Sequence, residues 1–135
     1  MTAGYAAFGT QLTWNSQDIK EVISITGPGE KADTVDLTSH DSADAFREFA
    51  AGLRDGGEIS FEMIFVPSDS TGQIAMHTDF QAGTTRAWTI IGPSSVATLS
   101  GNGIVTSWEP SFPDDNKMAI SGTIKVTGKP TLTIA

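Results

Sequence analysis

Two histidines and a scatter of carboxylates are the groups in this chain with the chemistry to catalyse a reaction or hold a metal. His40 stands in Ser39-His40-Asp41-Ser42, a base beside a carboxylate and two hydroxyls, the group types of a hydrolytic triad. A triad is made by side chains that converge from different elements. Four sequence neighbours do not converge by themselves, and the Gly-x-Ser-x-Gly elbow that presents a serine nucleophile is missing. A loop with a helix N-cap accounts for the segment. His77 has no second His or Cys at the spacing a zinc site needs, so a core-edge imidazole is its reading. The chain has no cysteine, which removes thiolate sites, disulfides and thiol nucleophiles and fits an intracellular origin.

The acidic pairs Asp33/Asp36, Asp41/Asp44 and Asp114/Asp115 lack the alternating oxygen ligands, central glycine and closing glutamate of a calcium loop. Turn and capping roles explain them. A glycosidase would need two carboxylates brought together from distant strands, and no pair is singled out. Gly101-Asn102-Gly103 and Gly27-Pro28-Gly29 match neither the phosphate loop nor the dinucleotide fingerprint and read as turns. Trp14, Trp88 and Trp108 are dispersed. They are assigned to a core or a subunit interface, and a β-sandwich carbohydrate-binding module that stacks sugars on them is the alternative. Elimination of motifs leaves no visible catalytic constellation, and no catalytic, cofactor-binding or metal-binding residue is expected.

At 135 residues, the chain is long enough for one domain with its own core. Sixteen acidic and eight basic residues give a net charge of −8, which opposes tight binding to phosphate backbones, since that is driven by Lys and Arg displacing counterions. The excess is uneven: residues 1–67 hold 11 acids and 4 bases (net −7), residues 68–135 hold 5 and 4 (net −1). An acidic surface in the first half follows, and a membrane-surface role does not. The N-terminus has neither a basic leader nor a long apolar run, so no cleaved export signal or membrane span is expected.

Period-two alternation dominates the elements that would position these groups. Between 57 and 66, Ile59, Phe61, Met63 and Phe65 alternate with Glu58, Ser60 and Glu62. Between 117 and 127, Met118, Ile120, Ile124 and Val126 alternate with Lys117, Ser121, Thr123, Lys125 and Thr127. Weaker strands read at 19–26, 34–38, 85–91, 96–99 and 103–109, bounded by Gly, Pro and Asn turns. Short turns imply an antiparallel sandwich or barrel. The period changes twice. Phe46, Phe49, Ala50 and Leu53 predict a short helix over 42–53, and Ile74, Met76, His77 and Phe80 predict a second over 69–82, capped by Ser68 or Asp69 and ended by Gly83.

One stretch is more specific. Val35-Asp36-Leu37-Thr38-Ser39-His40-Asp41-Ser42, followed by Arg47-Glu48-Phe49-Ala50-Ala51-Gly52-Leu53-Arg54-Asp55-Gly56-Gly57-Glu58-Ile59-Ser60-Phe61, closely resembles a segment of the tail tube proteins of long, non-contractile phage tails and of phage-derived particles such as gene transfer agents. In family order, 69–83 resembles the family helix, Arg86-Ala87-Trp88 the next strand, and Lys125-Val126-Thr127-Gly128-Lys129-Pro130-Thr131-Leu132 the closing strand and tail. The resemblance runs over roughly residues 10–133.

It implies a mainly β fold, an antiparallel sandwich or barrel with one flanking helix and a second short helix in a long loop. It further implies a single tail tube domain over 1–135, with 27–57 as a charged insertion for contacts between subunits. Such subunits form hexameric rings by continuing their sheets into an inner barrel, and the rings stack into a hollow tube. Asp33, Asp36, Asp41, Arg47, Glu48 and Arg54 are the expected contact residues. Two faces compete for the channel wall: Glu58, Ser60 and Glu62, and Ser121, Thr123 and Lys125. The implied partners are further copies of the chain, a tape-measure protein, and tail terminator and distal tail proteins. DNA passes through the lumen without specific binding, and no membrane is involved. The implied location is a virion or particle tail, assembled in the host cytoplasm.

Overall fold

The computed structural model describes residues 7–134. Nine strands and one helix follow in the order β1 (Gln11–Trp14), β2 (Gln17–Asp18), β3 (Val22–Thr26), β4 (Lys31–Asp36), β5 (Phe49–Asp55), β6 (Glu58–Ile64), α1 (Gln73–Ala82), β7 (Arg86–Ile91), β8 (Ala97–Ser111) and β9 (Ala119–Ile134). Seven strands form one antiparallel sheet in the order β2-β1-β7-β8-β9-β6-β3, while β4 and β5 form a separate two-stranded arm. The long β8 and β9 run through the whole sheet, with register shifts between Ser100 and Asn102 and between Val105 and Ser107. Bulges of this kind add twist and bend, and the sheet curls around the core as a half-barrel.

The core is built by the alternation that the sequence displays. Ile59, Phe61 and Met63 from β6, Ile120, Ile124 and Val126 from β9, Leu12 and Trp14 from β1 and Trp88 from β7 all point inward and are buried. Gly122 stands where β9 would otherwise place another inward side chain: a Cβ there would lie 2.5 Å from Cζ of Phe61 and 2.9 Å from the Ser107 carbonyl oxygen. The Phe61 ring fills that space instead.

Helix α1 closes the core over β8. Its first turn is held by the carboxylate of Asp69, which accepts from the backbone N–H of Gln73 (3.1 Å) and of Lys20 (3.2 Å). It ends at Gly83, in the left-handed region with φ 70°. The buried face carries Gln73, Met76 and Asp79, two of them polar. Gln73 donates to the Lys20 and Ile64 carbonyls (both 2.8 Å) and accepts from Val66 N–H (2.9 Å). Asp79 accepts from the indole of Trp14 at 2.8 Å and pairs with Arg86 at 3.3 Å. These bonds satisfy groups that would otherwise be costly to bury. Among the described residues, no helix is long and apolar enough to cross a membrane.

Two sequence expectations change, and one element is new. The helix over 42–53 is absent: one short 3-10 turn, Ala43–Ala45, has Asp44 at φ 55°, and Phe49–Asp55 is a strand paired with Lys31–Asp36. A helix there would need a core for its Phe46, Phe49 and Leu53 stripe, and none is near; pairing with β4 satisfies the backbone instead. Gly101-Asn102-Gly103 is no turn but lies within β8 at its first bulge, so the strands expected at 96–99 and 103–109 are one. The β1–β2 hairpin was not anticipated. It turns on Asn15 and Ser16, both at positive φ, the geometry of a two-residue turn that matches strand twist.

Candidate functional site

The two candidate wall faces are one surface. In β6, Glu58, Ser60 and Glu62 point away from the core, and the β6–β9 register sets them opposite Lys125, Thr123 and Ser121 respectively. The outer strands extend the surface on both sides. Ser24 and Thr26 of β3 face Glu62 and Ser60, while Glu109 and Ser107 of β8 face Ser121 and Thr123. Two transverse rows result, Ser24-Glu62-Ser121-Glu109 and Thr26-Ser60-Thr123-Ser107, across a four-stranded sheet β3-β6-β9-β8.

Ser24, Thr26, Ser107 and Glu109 were not singled out from sequence. In β8 the bulge at Thr106 inverts the parity of the strand, so Val105 points inward while Thr106 and Ser107 are both exposed. Alternation alone does not read through such a shift.

Lys125 is the one base on this face, and it is already engaged. Its Nζ donates to both carboxylate oxygens of Asp55, at 2.8 and 3.0 Å. That bond first, and the Gly57 N–H second, hold the Asp55 carboxyl below the usual carboxylate range. Glu58, Glu62 and Glu109 have no ion pair among the described residues. The face is thus hydroxyl-rich with a net negative charge. It repels phosphates at short range and offers them no cationic anchor.

The arm is the second surface. Asp33 and Asp36 lie on β4, Asp41, Arg47 and Glu48 in the loop at its tip, and Arg54 on β5 near its root. Half of these side chains work within the arm. Asp36 pairs with Arg47 at 3.6 Å, and its carboxyl is held below the usual range by hydrogen bonds from Thr38, side chain before backbone. Glu48 accepts from the Ser42 hydroxyl at 2.8 Å. Asp33, Asp41 and Arg54 have no ion pair among the described residues.

The arm's apolar side chains are the feature that charge counting overlooked. Val35, Leu37, Phe46, Phe49 and Leu53 are 49, 57, 74, 56 and 85% exposed. Five large apolar side chains on one hairpin are an exposed apolar concentration that the subunit's own core does not use. Reading 42–53 as a helix had placed three of them on a packed stripe.

The remaining candidates stand in the arm loop, at the edge of the core or within it. His40 is exposed in the arm loop. His77 packs in a tilted arrangement against Trp108, with ring centroids 5.3 Å apart. Trp14 and Trp88 are buried, which removes them as a platform for sugar rings. Among the described residues, no cluster of three or more His or acidic side chains is arranged to hold a metal.

No curated protein sequence matches the chain. Solved structures share its fold. The tail of an empty gene transfer agent particle, refined with C6 symmetry, superposes with a TM-score of 0.78 at 20% identity, covering 96% of this chain and 99% of that one. The PVC sheath-tube complex of an extracellular contractile injection system gives 0.78 at 13% identity, covering 100% and 95%. The SPP1 tail tube gives 0.70 at 12% identity, covering 96% and 80%. Residues 3–133 match the family described as Lambda phage tail tube protein, TTP. With nearly its whole length matched, the chain belongs to the lambda phage tail tube protein family, whose members are structural subunits and not enzymes.

Proposed function

We propose that copies of this chain close into hexameric rings through the two open edges of the β3-β6-β9-β8 sheet, that the hydroxyl and carboxylate face of that sheet lines the channel, and that the arm bridges to a neighbouring subunit. The observation that carries this is the pair of open edges. Among the described residues, β3 pairs as a strand with β6 alone, and the Ile104–Ser111 half of β8 with β9 alone, because β7 ends its pairing at Gly103. Adjacent strands in the sheet alternate in direction. The β8 edge of one copy therefore runs antiparallel to the β3 edge of the next when copies are related by rotation about a tube axis. Such a contact is head-to-tail and closes by symmetry, which satisfies both edges and halts lateral growth.

The six-fold tail of the gene transfer agent particle supports the ring order. Structures of the same fold from tube terminators and a baseplate support terminator and distal tail proteins as end partners. A tape-measure protein would occupy the lumen during assembly in the host cytoplasm, and DNA would later slide past Glu58, Glu62 and Glu109 without specific binding. Asp33, Asp41 and Arg54, which have no ion pair among the described residues, are the polar contacts offered to a neighbour, with Asp36, Arg47 and Glu48 shaping the loop that presents them.

Negative-stain microscopy of concentrated protein, alone and with a purified tail-tip complex, tests the proposal. Hollow tubes with six-fold end views are expected. A species that stays monomeric at high concentration and is inert to the tip complex overturns it.

A further inference from the structure

We infer that, where rings stack, the β8–β9 turn of one copy seats in a cationic crevice at the root of the arm of a second copy of this chain. The inference rests on the ring reading above and names what the rings present to each other.

The two surfaces lie at opposite ends of the same strands. In β6, Glu58 is level with Lys125 and Ile64 with Ala119, and Ala119 is level with Ser111 of β8. The arm root joins the sheet at the Glu58 end. The turn of residues 112–118 closes it at the Ile64 end, about 20 Å away at the usual rise per strand residue. In a closed barrel the strand ends open on the two rims, so stacked rings set the arm root of one against the turn of the next.

The chemistry of the two ends is complementary. The turn carries Asp114 and Asp115 between Phe112, 64% exposed, and Met118, 43% exposed; its one base is Lys117. The arm root forms an open crevice of about 510 Å³ bounded by Lys31, Arg54, Gly128, Lys129 and Pro130. Lys31, Arg54 and Lys129 have no ion pair among the described residues, and Asp55 at their centre is taken by Lys125. Glu30 is the remaining acid on the rim. Beside the crevice, exposed Leu53 offers an apolar contact for Phe112 and Met118 of the incoming turn. Acids meet unpaired bases, and exposed apolar groups meet each other, with no rearrangement of the subunit.

The absence of cysteine allows a direct test. Asp115→Cys and Lys129→Cys are introduced together, the protein is assembled into tubes on a tip complex, and the tubes are mildly oxidised and run under non-reducing denaturing conditions. A ladder of covalent multimers extending beyond six copies is expected, with neither single variant exceeding a dimer. Tubes without a ladder overturn the docking inference while leaving the ring reading intact. Wild-type protein that forms no tubes overturns both. In parallel, Asp115→Lys should slow tube growth at least tenfold and Lys129→Asp in the same chain should restore it. A chain that grows normally with Asp115→Lys alone also overturns the inference.

Discussion

Gln73 offers the sharpest test of how the subunit is held together. Its side chain is fully buried and ties three segments: the Lys20 carbonyl before β3, the Ile64 carbonyl at the end of β6, and the Val66 N–H beyond it. Gln73→Ala removes three hydrogen bonds and leaves three backbone groups to find water at a partly buried site. Each such loss costs about 1 kcal/mol net, and more where water cannot enter. Together with the void, the expected destabilisation is about 3 kcal/mol, a large share of the 5–15 kcal/mol typical of a domain. At this chain length, that lowers the melting midpoint by roughly 10 °C.

Gln73→Glu keeps the shape but turns a carboxylate oxygen toward two carbonyl oxygens. It should be at least as destabilising at pH 7. Burial and repulsion raise the folded-state pKa of the introduced acid above its unfolded value, so the folded form binds the extra proton. The variant's deficit should therefore shrink as pH falls toward 4 and grow as pH rises through the folded pKa. Urea unfolding of unassembled protein at pH 4 to 8 reads both variants. A cost below about 1 kcal/mol for Gln73→Ala, or wild-type stability of Gln73→Glu at pH 7, would refute the assignment of this amide as the knot that sets α1 and β3.

Other expectations follow from the same geometry. Phe46→Asp with Leu53→Asp should leave monomer stability within about 0.5 kcal/mol, since both side chains are exposed, yet abolish tube growth seen by light scattering. Glu62→Lys with Glu109→Lys turns a wall of the proposed channel cationic. Tubes of that variant should retain DNA in low salt and release it as salt rises, where wild-type tubes retain none. Gly122→Val drives a side chain into the Phe61 ring and should cost about 1–3 kcal/mol in urea unfolding. The Asp55 carboxyl should titrate by NMR below an ordinary exposed aspartate, and Lys125→Met should raise it toward the ordinary range, with the Gly57 N–H bond still holding it down. Because its folded pKa is depressed, the pairing contributes above the unfolded pKa and is lost as pH falls through the folded one.

The strands with clean alternation were readable from sequence because the physics there is local: Ile59, Phe61 and Met63, or Ile120 and Ile124, declare an inward face whatever lies across from them. The same holds for α1, whose anchor at Asp69 and stop at Gly83 are short-range features, although the helix begins at Gln73 and not at 69. The acidic balance also needed only composition, whereas the reading as a structural subunit came with the family. The resemblance around residues 35–61 identified the family even though the secondary structure assigned to part of it was wrong.

Tertiary structure decided the rest, because partner choice is not written in any one segment. Phe46, Phe49 and Leu53 fit helical spacing, and only pairing with β4 makes 49–55 a strand with its apolar groups exposed. The bulges at Gly101 and Thr106 fuse two expected strands into β8 and invert its parity, bringing Ser107 and Glu109 to the polar face. Register then joins Glu58, Ser60 and Glu62 with Lys125, Thr123 and Ser121. What the chain alone determined was the two faces of each strand; what the fold decided was that these faces lie side by side, since register is set by pairs of strands and not by either one.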